Sequence, residues 1–348
     1  MATQKDLAKL AGVSAGTVSN VISGSVKVSE KAREKVLKAI RKLNYQPNLI
    51  ARSLKTNRTN MLGIVVPDIT IPFFPKVIRG AESAARARDY FVLVLDSQGS
   101  RELELEMLTL LQQRADAILL ATAGSHEWPA ASFADVNDGP PLICVDRVPE
   151  SLKADSVCVD NVEAAEIGVA HLISVGHRKI AIVTGPLTLR NEQERLRGYR
   201  RALQAAGIPI QESLIWASSF EREEIQRACQ KGFLRSKVKP TAVFATNGVT
   251  GVGVLVSIFA LGLSTPADLG FATIDEISTE EFFSPRVTSV IQPTDEIGHR
   301  AVELALKRIS GENSAEKPVN INLHATLVVR ETSSAGTLSI NDAVVRGR

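Results

Sequence analysis

The chain is 348 residues long, 44% hydrophobic and 23% charged, enough apolar material to bury a large core and build more than one domain. No apolar run approaches the roughly 18 residues of a membrane span, and the opening "MATQKDLAKLAG" is polar and periodic, unlike a signal peptide, so a cytoplasmic protein is expected. Net charge is only +3, but the first 60 residues hold 12 basic and 3 acidic side chains, a balance of +9, whereas the other 288 hold 29 and 35, a balance of −6. A cationic head on an acidic body is an electrostatic footprint for a polyanion, nucleic acid first. Cys144, Cys158 and Cys229 are too few for a disulfide framework and lack zinc-ligand spacing; they read as buried thiols, and no metal or cofactor is expected.

In chain order, "TQKDLAKLAGVSAGTVSNVISG" predicts two short helices joined by a three-residue turn. Leu7, Ala8 and Leu10 form the apolar stripe of the first, Gly12 suits the left-handed conformation that ends it, Val13 plugs the gap and Ser14 caps the second. Val18, Val21 and Ile22 recur at helical spacing and face inward, leaving Ala15, Gly16, Thr17, Ser19 and Asn20 on the outward side. A third helix over Glu30 to Leu43, after Ser29 as cap, turns Val36, Leu37 and Ile40 inward and Lys31, Lys35, Lys38 and Lys42 outward. This is a helix-turn-helix, whose second helix usually enters the major groove. In "QPNLIARSLKTNRTN", Pro47 and Asn48 supply a stop and a cap before a short helix over Leu49 to Lys55, which places Leu54 among Arg52, Lys55 and Arg58. A helix of one or two turns is unstable alone.

Beyond it, apolar strands alternate with amphipathic helices, the pattern of parallel sheets covered on both faces. "MLGIVVP", "FVLVLDS", "AILLA", "PLICVD" and "SVCVD" are followed by "KIAIVTGP", "LIWAS", "TAVFATN", "LGFATID" and "VTSVIQP". Two runs of five predict two doubly wound lobes, with ligand in the cleft at the strand carboxyl ends. Asp68, Asp96, Asp146, Asp160, Asn247 and Asp275 each end an apolar strand. Such residues either cap the next helix or present oxygens to a ligand; a carboxylate at Asp146 can accept two sugar hydroxyls. An enzyme is not expected. "GVTGVGV" has neither the order of a dinucleotide-binding glycine loop nor a Walker lysine, and neither an HExxH motif nor a Ser-His-Asp order occurs.

From "DLAKLAGVSAGTVSNVISG" through "VSEKAREKVLKAIRKLNYQPNLIARSLKTNRTNMLGIVVPDITIPFF", and more loosely to about Arg330, the chain resembles the LacI/GalR (lactose-repressor) family of bacterial transcription regulators. The resemblance implies an N-terminal all-α helix-turn-helix domain (1–46), a hinge helix and linker (47–60), an α/β two-lobed periplasmic-binding-protein-like core (61–336), each lobe a doubly wound parallel sheet, and a short tail (337–348). Crossings between lobes are placed near Asp160/Asn161, Gln292/Pro293 and Asn322/Leu323. It also implies that Thr3, Ser14, Ala15, Gly16, Thr17, Ser19 and Asn20 contact operator DNA, joined by Asn48, Ala51, Arg52, Leu54 and Lys55 of the hinge, where paired leucines wedge into the minor groove and kink the duplex. Phe73, Asp146, Arg195, Asn247 and Asp275 are the implied effector contacts. Asn20 stands where many members carry arginine and Gly248 where many carry aspartate, while Arg190 offers a second cation near the pocket. The expected protein is a homodimeric repressor of a pseudo-palindromic operator, controlled by a sugar or sugar derivative bound between the lobes. The alternatives are a nucleobase, nucleoside or phosphorylated sugar acting as co-repressor, and a sugar-binding protein without a DNA role.

Overall fold

The computed structural model describes residues 2–22, 28–45, 58–124, 139–149, 152–277, 285–311 and 317–333. The chain divides into two compact units, Met1–Thr59 and Asn60–Arg348. In the first, α1 (Gln4–Ala11) and α2 (Ala15–Ile22) are joined by the expected turn, and α3 spans Glu30–Leu43. Gly12 adopts φ 64° and closes α1 as a left-handed cap. Ser14 Oγ accepts from Thr17 N at 3.1 Å and caps α2.

Leu7, Ala11, Val18, Val21, Val36 and Ala39 form the core of this unit. Two inward assignments fail: Leu10 is 43% exposed and Leu37 42% exposed. With about 100° between successive helical residues, the buried stripe of α1 runs through the i, i+4 pair Leu7 and Ala11, and that of α3 through Val36 and Ala39, so Leu10 and Leu37 fall on the flanks.

In the second unit the first lobe is built from β1 (Met61–Val66), α4 (Phe73–Arg86), β2 (Phe91–Asp96), α5 (Arg101–Gln112), β3 (Ala117–Leu120), β4 (Leu142–Val145) and β5 (Asp155–Val159). The second takes α6 (Asn161–Ser174), β6 (Ile180–Thr184), α7 (Arg190–Ala205), β7 (Ile215–Ala217), α8 (Arg222–Arg235), β8 (Ala242–Ala245), α9 (Gly248–Ala260), β9 (Gly270–Ile274) and β10 (Thr288–Ile291). The chain then returns as α10 (Thr294–Ile309) and β11 (Asn320–Leu323) to the first lobe and ends with β12 (Thr326–Val328) in the second. The sheet orders are β11-β5-β4-β3-β1-β2 and β12-β10-β9-β8-β6-β7.

All ten expected strands form. Two short, partly exposed strands, β11 and β12, join them at the sheet edges, and β12 runs antiparallel to β10. The reason is geometric. Parallel strands of both lobes end at the cleft, so a chain leaving β11 and continuing straight across must enter the other sheet against its grain. Asn322 and Leu323 still pair with Cys158 and Val159 of the first lobe, so the third crossing lies at His324 and Ala325, just beyond its expected place. The first two fall at Asp160 and Gln292–Pro293 as expected.

Helices cover both faces of each sheet. In the first lobe α4 and α10 enclose Ile64, Phe74, Val77, Ile297 and Ala301, with Leu108 and Leu111 of α5 on the opposite face. α4 and α10 cross backbone to backbone: a Cβ at Gly80 would collide with the Asp295 carbonyl, and one at Gly298 with that of Val77. In the second lobe α6 and α7 cover one face and α8 and α9 the other. Cys144, Cys158 and Cys229 are buried thiols, and burial pushes Cys144 up to about 12 and Cys229 to about 11. Among the described residues no helix is long and apolar enough to cross a membrane.

Candidate functional site

The first unit presents Ala15, Gly16 and Asn20 on the exposed side of α2, with Thr17 and Ser19 half-buried beside them. Lys31, Lys35, Lys38 and Lys42 are exposed along α3. A Cβ at Gly16 would meet only Ser14 Oγ, at 3.7 Å, so this glycine is not demanded by the backbone. Thr3 is the N-cap of α1 in a capping box: its Oγ1 accepts from Asp6 N while Asp6 Oδ2 accepts from Thr3 N at 2.8 Å. Asn48, Ala51, Arg52, Leu54 and Lys55 lie outside the described residues.

In the second unit a cavity of about 360 Å³ opens between the lobes at the strand carboxyl ends. Asp146, just after β4, comes from the first lobe and Asp275, just after β9, from the second. Both hold left-handed backbone conformations, φ 60° and 68°, strained for most residues and tolerated best by Asn and Asp. Burial pushes both carboxyls above the usual range, against the opposing pull of Arg195 on each. Phe73 and Phe74, at the start of α4, pack edge to face at 5.2 Å and form an apolar wall. The Arg147 guanidinium lies 5.8 Å from the Phe74 ring centroid and 5.2 Å from that of Phe220 in the other lobe, and its desolvation lowers its pKa.

Arg195, on α7, is held on three sides. Its Nε donates to Asn161 Oδ1 at 2.8 Å, and Nη1 donates to Thr246 O at 2.9 Å and Glu192 Oε1 at 3.3 Å. Nη2 faces Asp146 Oδ1 across the cleft at 3.8 Å. Glu192 is only 1% exposed, yet it is satisfied by Gly185 N at 2.9 Å, Asn247 Nδ2 at 3.0 Å and the Thr246 hydroxyl. Asn247 is doubly committed, since its Oδ1 also caps α9 by accepting from Thr250 N at 2.9 Å. Gln292 Nε2 donates to Asp275 Oδ1 at 2.7 Å, while its buried Oε1 has no hydrogen-bond partner. Arg147 Nε likewise makes no hydrogen bond, the Asp146 carboxylate lying 3.7 Å away. An orphan donor and an orphan acceptor thus occur together in one cavity wall, where buried polar groups are otherwise paired.

Two family models match: bacterial regulatory proteins of the lacI family over residues 3–48, and a periplasmic binding protein-like domain over residues 169–333. The chain is 35% identical to the HTH-type transcriptional repressor PurR of Vibrio vulnificus, over 95% of this chain and 98% of that one. It is equally similar, 35% with the same coverage, to the ribose operon repressor of Haemophilus influenzae. This chain belongs to the LacI family of bacterial regulatory proteins. The crystal structure of the lac repressor dimer bound to operator and the anti-inducer ONPF superposes with a TM-score of 0.82 at 25% identity, covering 96% of this chain and 99% of that one. The protein is therefore a DNA-binding transcription regulator with an effector-binding core, and not an enzyme.

In this LacI-family regulator the five residues expected at the effector site, Phe73, Asp146, Arg195, Asn247 and Asp275, line the same cavity. The other strand-end acids are spent on local structure: Asp68 Oδ1 accepts from Thr70 N at 2.8 Å, Asp96 Oδ1 from Gln98 N at 2.9 Å, and Asp160 Oδ1 from Glu163 N at 2.9 Å as the cap of α6. Arg190 is 59% exposed, pairs with Glu194 at 2.9 Å and lies away from this cavity. Sequence reasoning did not single out Glu192, Asn191, Gln292 or Phe220, all in the lining. The signal for Glu192 was its place three residues before Arg195, one turn away on the same helix face.

Proposed function

We propose that this regulator acts in the cytoplasm as a homodimeric repressor of a pseudo-palindromic operator, and that its effector is an uncharged monosaccharide of pentose size, D-ribose being the specific candidate. The observation that carries the effector assignment is the charge and shape of the cavity. Among the lining side chains that are not exposed, the carboxyls of Asp146, Glu192, Asp275 and Glu276 outnumber the guanidiniums of Arg147 and Arg195, the remaining cations Lys76 and Arg222 being exposed. An excess of carboxylate repels a sugar phosphate and suits hydroxyls, which donate to carboxylates and accept from arginine. A volume of about 360 Å³ sits at the small end of the roughly 300–1,000 Å³ typical of ligand sites, and Phe73, Phe74 and Phe220 supply apolar faces for a ring. One ligand hydroxyl can accept from Arg147 Nε and another can donate to Gln292 Oε1, relieving both orphans. Likeness to ribose operon repressors supports the same choice.

In the DNA-binding unit the proposal gives base contacts to the α2 face bearing Ala15, Gly16, Thr17 and Asn20, and backbone contacts to Thr3, Ser14 and Ser19. The hinge segment contributes Asn48, Ala51, Arg52 and Lys55 at the minor groove, with Leu54 as wedge. Isothermal titration of the full chain with D-ribose, ribose 5-phosphate and a set of nucleobases tests the effector assignment. Saturable binding of ribose at one site per subunit, with ribose 5-phosphate weaker, is expected. Preference for the phosphate or for a nucleobase would replace the sugar reading.

A further inference from the structure

Residues of both lobes also line a second cavity, about 340 Å³ and predominantly polar, whose lining includes Asp160, Asn161, Arg190, Glu194 and Asn320. Asn161 lines this second cavity and accepts a hydrogen bond from Arg195, which lines the first. It is the first residue of α6, immediately past the first crossing, and it is 2% exposed. Its amide is fully used: Oδ1 accepts from Arg195 Nε at 2.8 Å, and Nδ2 reaches Val159 O at 3.3 Å and Glu194 Oε2 at 3.4 Å. Val159 ends β5 of the first lobe, whereas Arg195 and Glu194 belong to α7 of the second. One side chain thereby registers the arginine of one lobe to the strand end of the other.

The backbone enforces this placement. A Cβ at Gly198 would collide with the Val162 carbonyl, so α6 and α7 touch there without intervening side chains. Gly198 follows Arg195 by three residues, one turn along α7, and Val162 follows Asn161 directly. The close approach therefore sets the Asn161 amide over the Arg195 guanidinium. Glu194 on the far side is itself fixed by Arg190 at 2.9 Å and Arg197 at 3.4 Å, so the amide cannot flip without placing its oxygen against a carboxylate.

We propose that Asn161 is a positioning residue of the effector site: it touches no effector, but it fixes Arg195 so that Nη2 points at Asp146 and the ligand. Nη1 is occupied by Thr246 O and Glu192. Without the Nε contact those bonds alone leave the guanidinium plane free to tilt about them. The functional half of this proposal rests on the sugar assignment above, and its test is built to separate the two.

In the first arm, NMR of the arginine Nε–H groups is recorded on ligand-free, deuterated full-length protein. Arg195→Ala identifies the resonance, and Asn161→Ala is expected to shift it and to hasten its exchange with water. In the second arm, D-ribose is titrated calorimetrically into wild type, Asn161→Ala, Arg195→Ala and the double variant. Losing the partner of a charged donor predicts about tenfold weaker ribose binding for Asn161→Ala. In the Arg195→Ala background the same change should alter affinity by less than about twofold, because the two residues act through one contact. Should the alanine variant fold poorly, Asn161→Ser, whose hydroxyl is too short to reach Nε, carries both arms. An undisturbed Arg195 resonance, or an equal loss of affinity in both backgrounds, would overturn the proposal. If wild type does not bind ribose, the resonance alone decides Asn161, and only the sugar assignment is lost.

Discussion

Arg195→Ala separates ligand sensing from DNA binding. The guanidinium is buried, donates to Asn161, Thr246 O and Glu192, and faces Asp146. Removing it takes a charged donor from the cavity, a loss of about 1.5–3 kcal/mol of ligand binding, which weakens ribose roughly tenfold to a hundredfold or somewhat more. The fold pays less than a broken buried pair usually costs. Glu192 keeps Gly185 N, Asn247 Nδ2 and the Thr246 hydroxyl, and Asp146 keeps Asn191 at 3.4 Å and the neighbouring Arg147. A destabilisation of about 2 kcal/mol, roughly 3 °C in Tm, follows for a unit of this size. Operator affinity without ligand should stay within about threefold, since Arg195 belongs to the second unit and its hydrogen-bond and ion-pair partners, Asn161, Thr246, Glu192 and Asp146, all lie in that unit. Calorimetry with ribose at 20 °C, beside fluorescence anisotropy on the operator, reads both halves. Unchanged ribose affinity would remove Arg195 from the site, and lost operator binding with an intact ribose response would reverse the division of labour.

Asp275→Asn should raise the Tm of the ligand-free protein while abolishing ribose binding. Burial raises this carboxyl's pKa, so the folded state holds its proton more tightly than the unfolded chain. Native stability from this group therefore falls as pH rises from the unfolded value towards the raised one, and the gain from asparagine should be present at pH 7 and vanish below about pH 4 in calorimetric scans. His324, in the third crossing, has its pKa raised by a 2.6 Å hydrogen bond to Glu163. Its stabilisation is complete below the unfolded histidine value and is lost as pH rises through the raised one, so the Tm deficit of His324→Gln should be larger at pH 6 than at pH 8.5. Leu54→Ala should cost specific operator binding about 1–3 kcal/mol and spare non-specific binding; an unchanged bend in circular-permutation gels would make Leu54 a packing residue.

The ten principal strands of the core were legible because they are apolar runs, most of them buried, such as "AILL" at Ala117–Leu120, that hydrophobic patterning alone can find. The edge strands "NINL" and "TLV" were not, since they are short, half-exposed and set by long-range pairing with β5 and β10 at the edges of the two sheets. Local chemistry placed Gly12 and Ser14 correctly, but it could not resolve which of Leu10 and Ala11 faces inward, a matter of about 100° on one helix. At the effector cavity, the strand-end rule reached Asp146, Asn247 and Asp275, and resemblance added Arg195 and Phe73. Glu192 stayed hidden because "RNEQERLRGYRR" reads as a solvated charged helix; only the fold reveals that this face turns into the cleft. Gln292 stayed hidden because its role depends on the second crossing bringing it beside Asp275.

The central claim is that a sugar held between the lobes governs the hold of the first unit on DNA, and titration of D-ribose into the protein–operator complex, read by anisotropy, tests it most directly. An effector shifts operator affinity only by its differential affinity for the two lobe arrangements, and the coupling is reciprocal. The account predicts a change in operator affinity, of either sign, whose midpoint follows the calorimetric Kd for ribose and which moves to higher ribose concentration in Arg195→Ala. Operator affinity that stays the same at saturating ribose would contradict it.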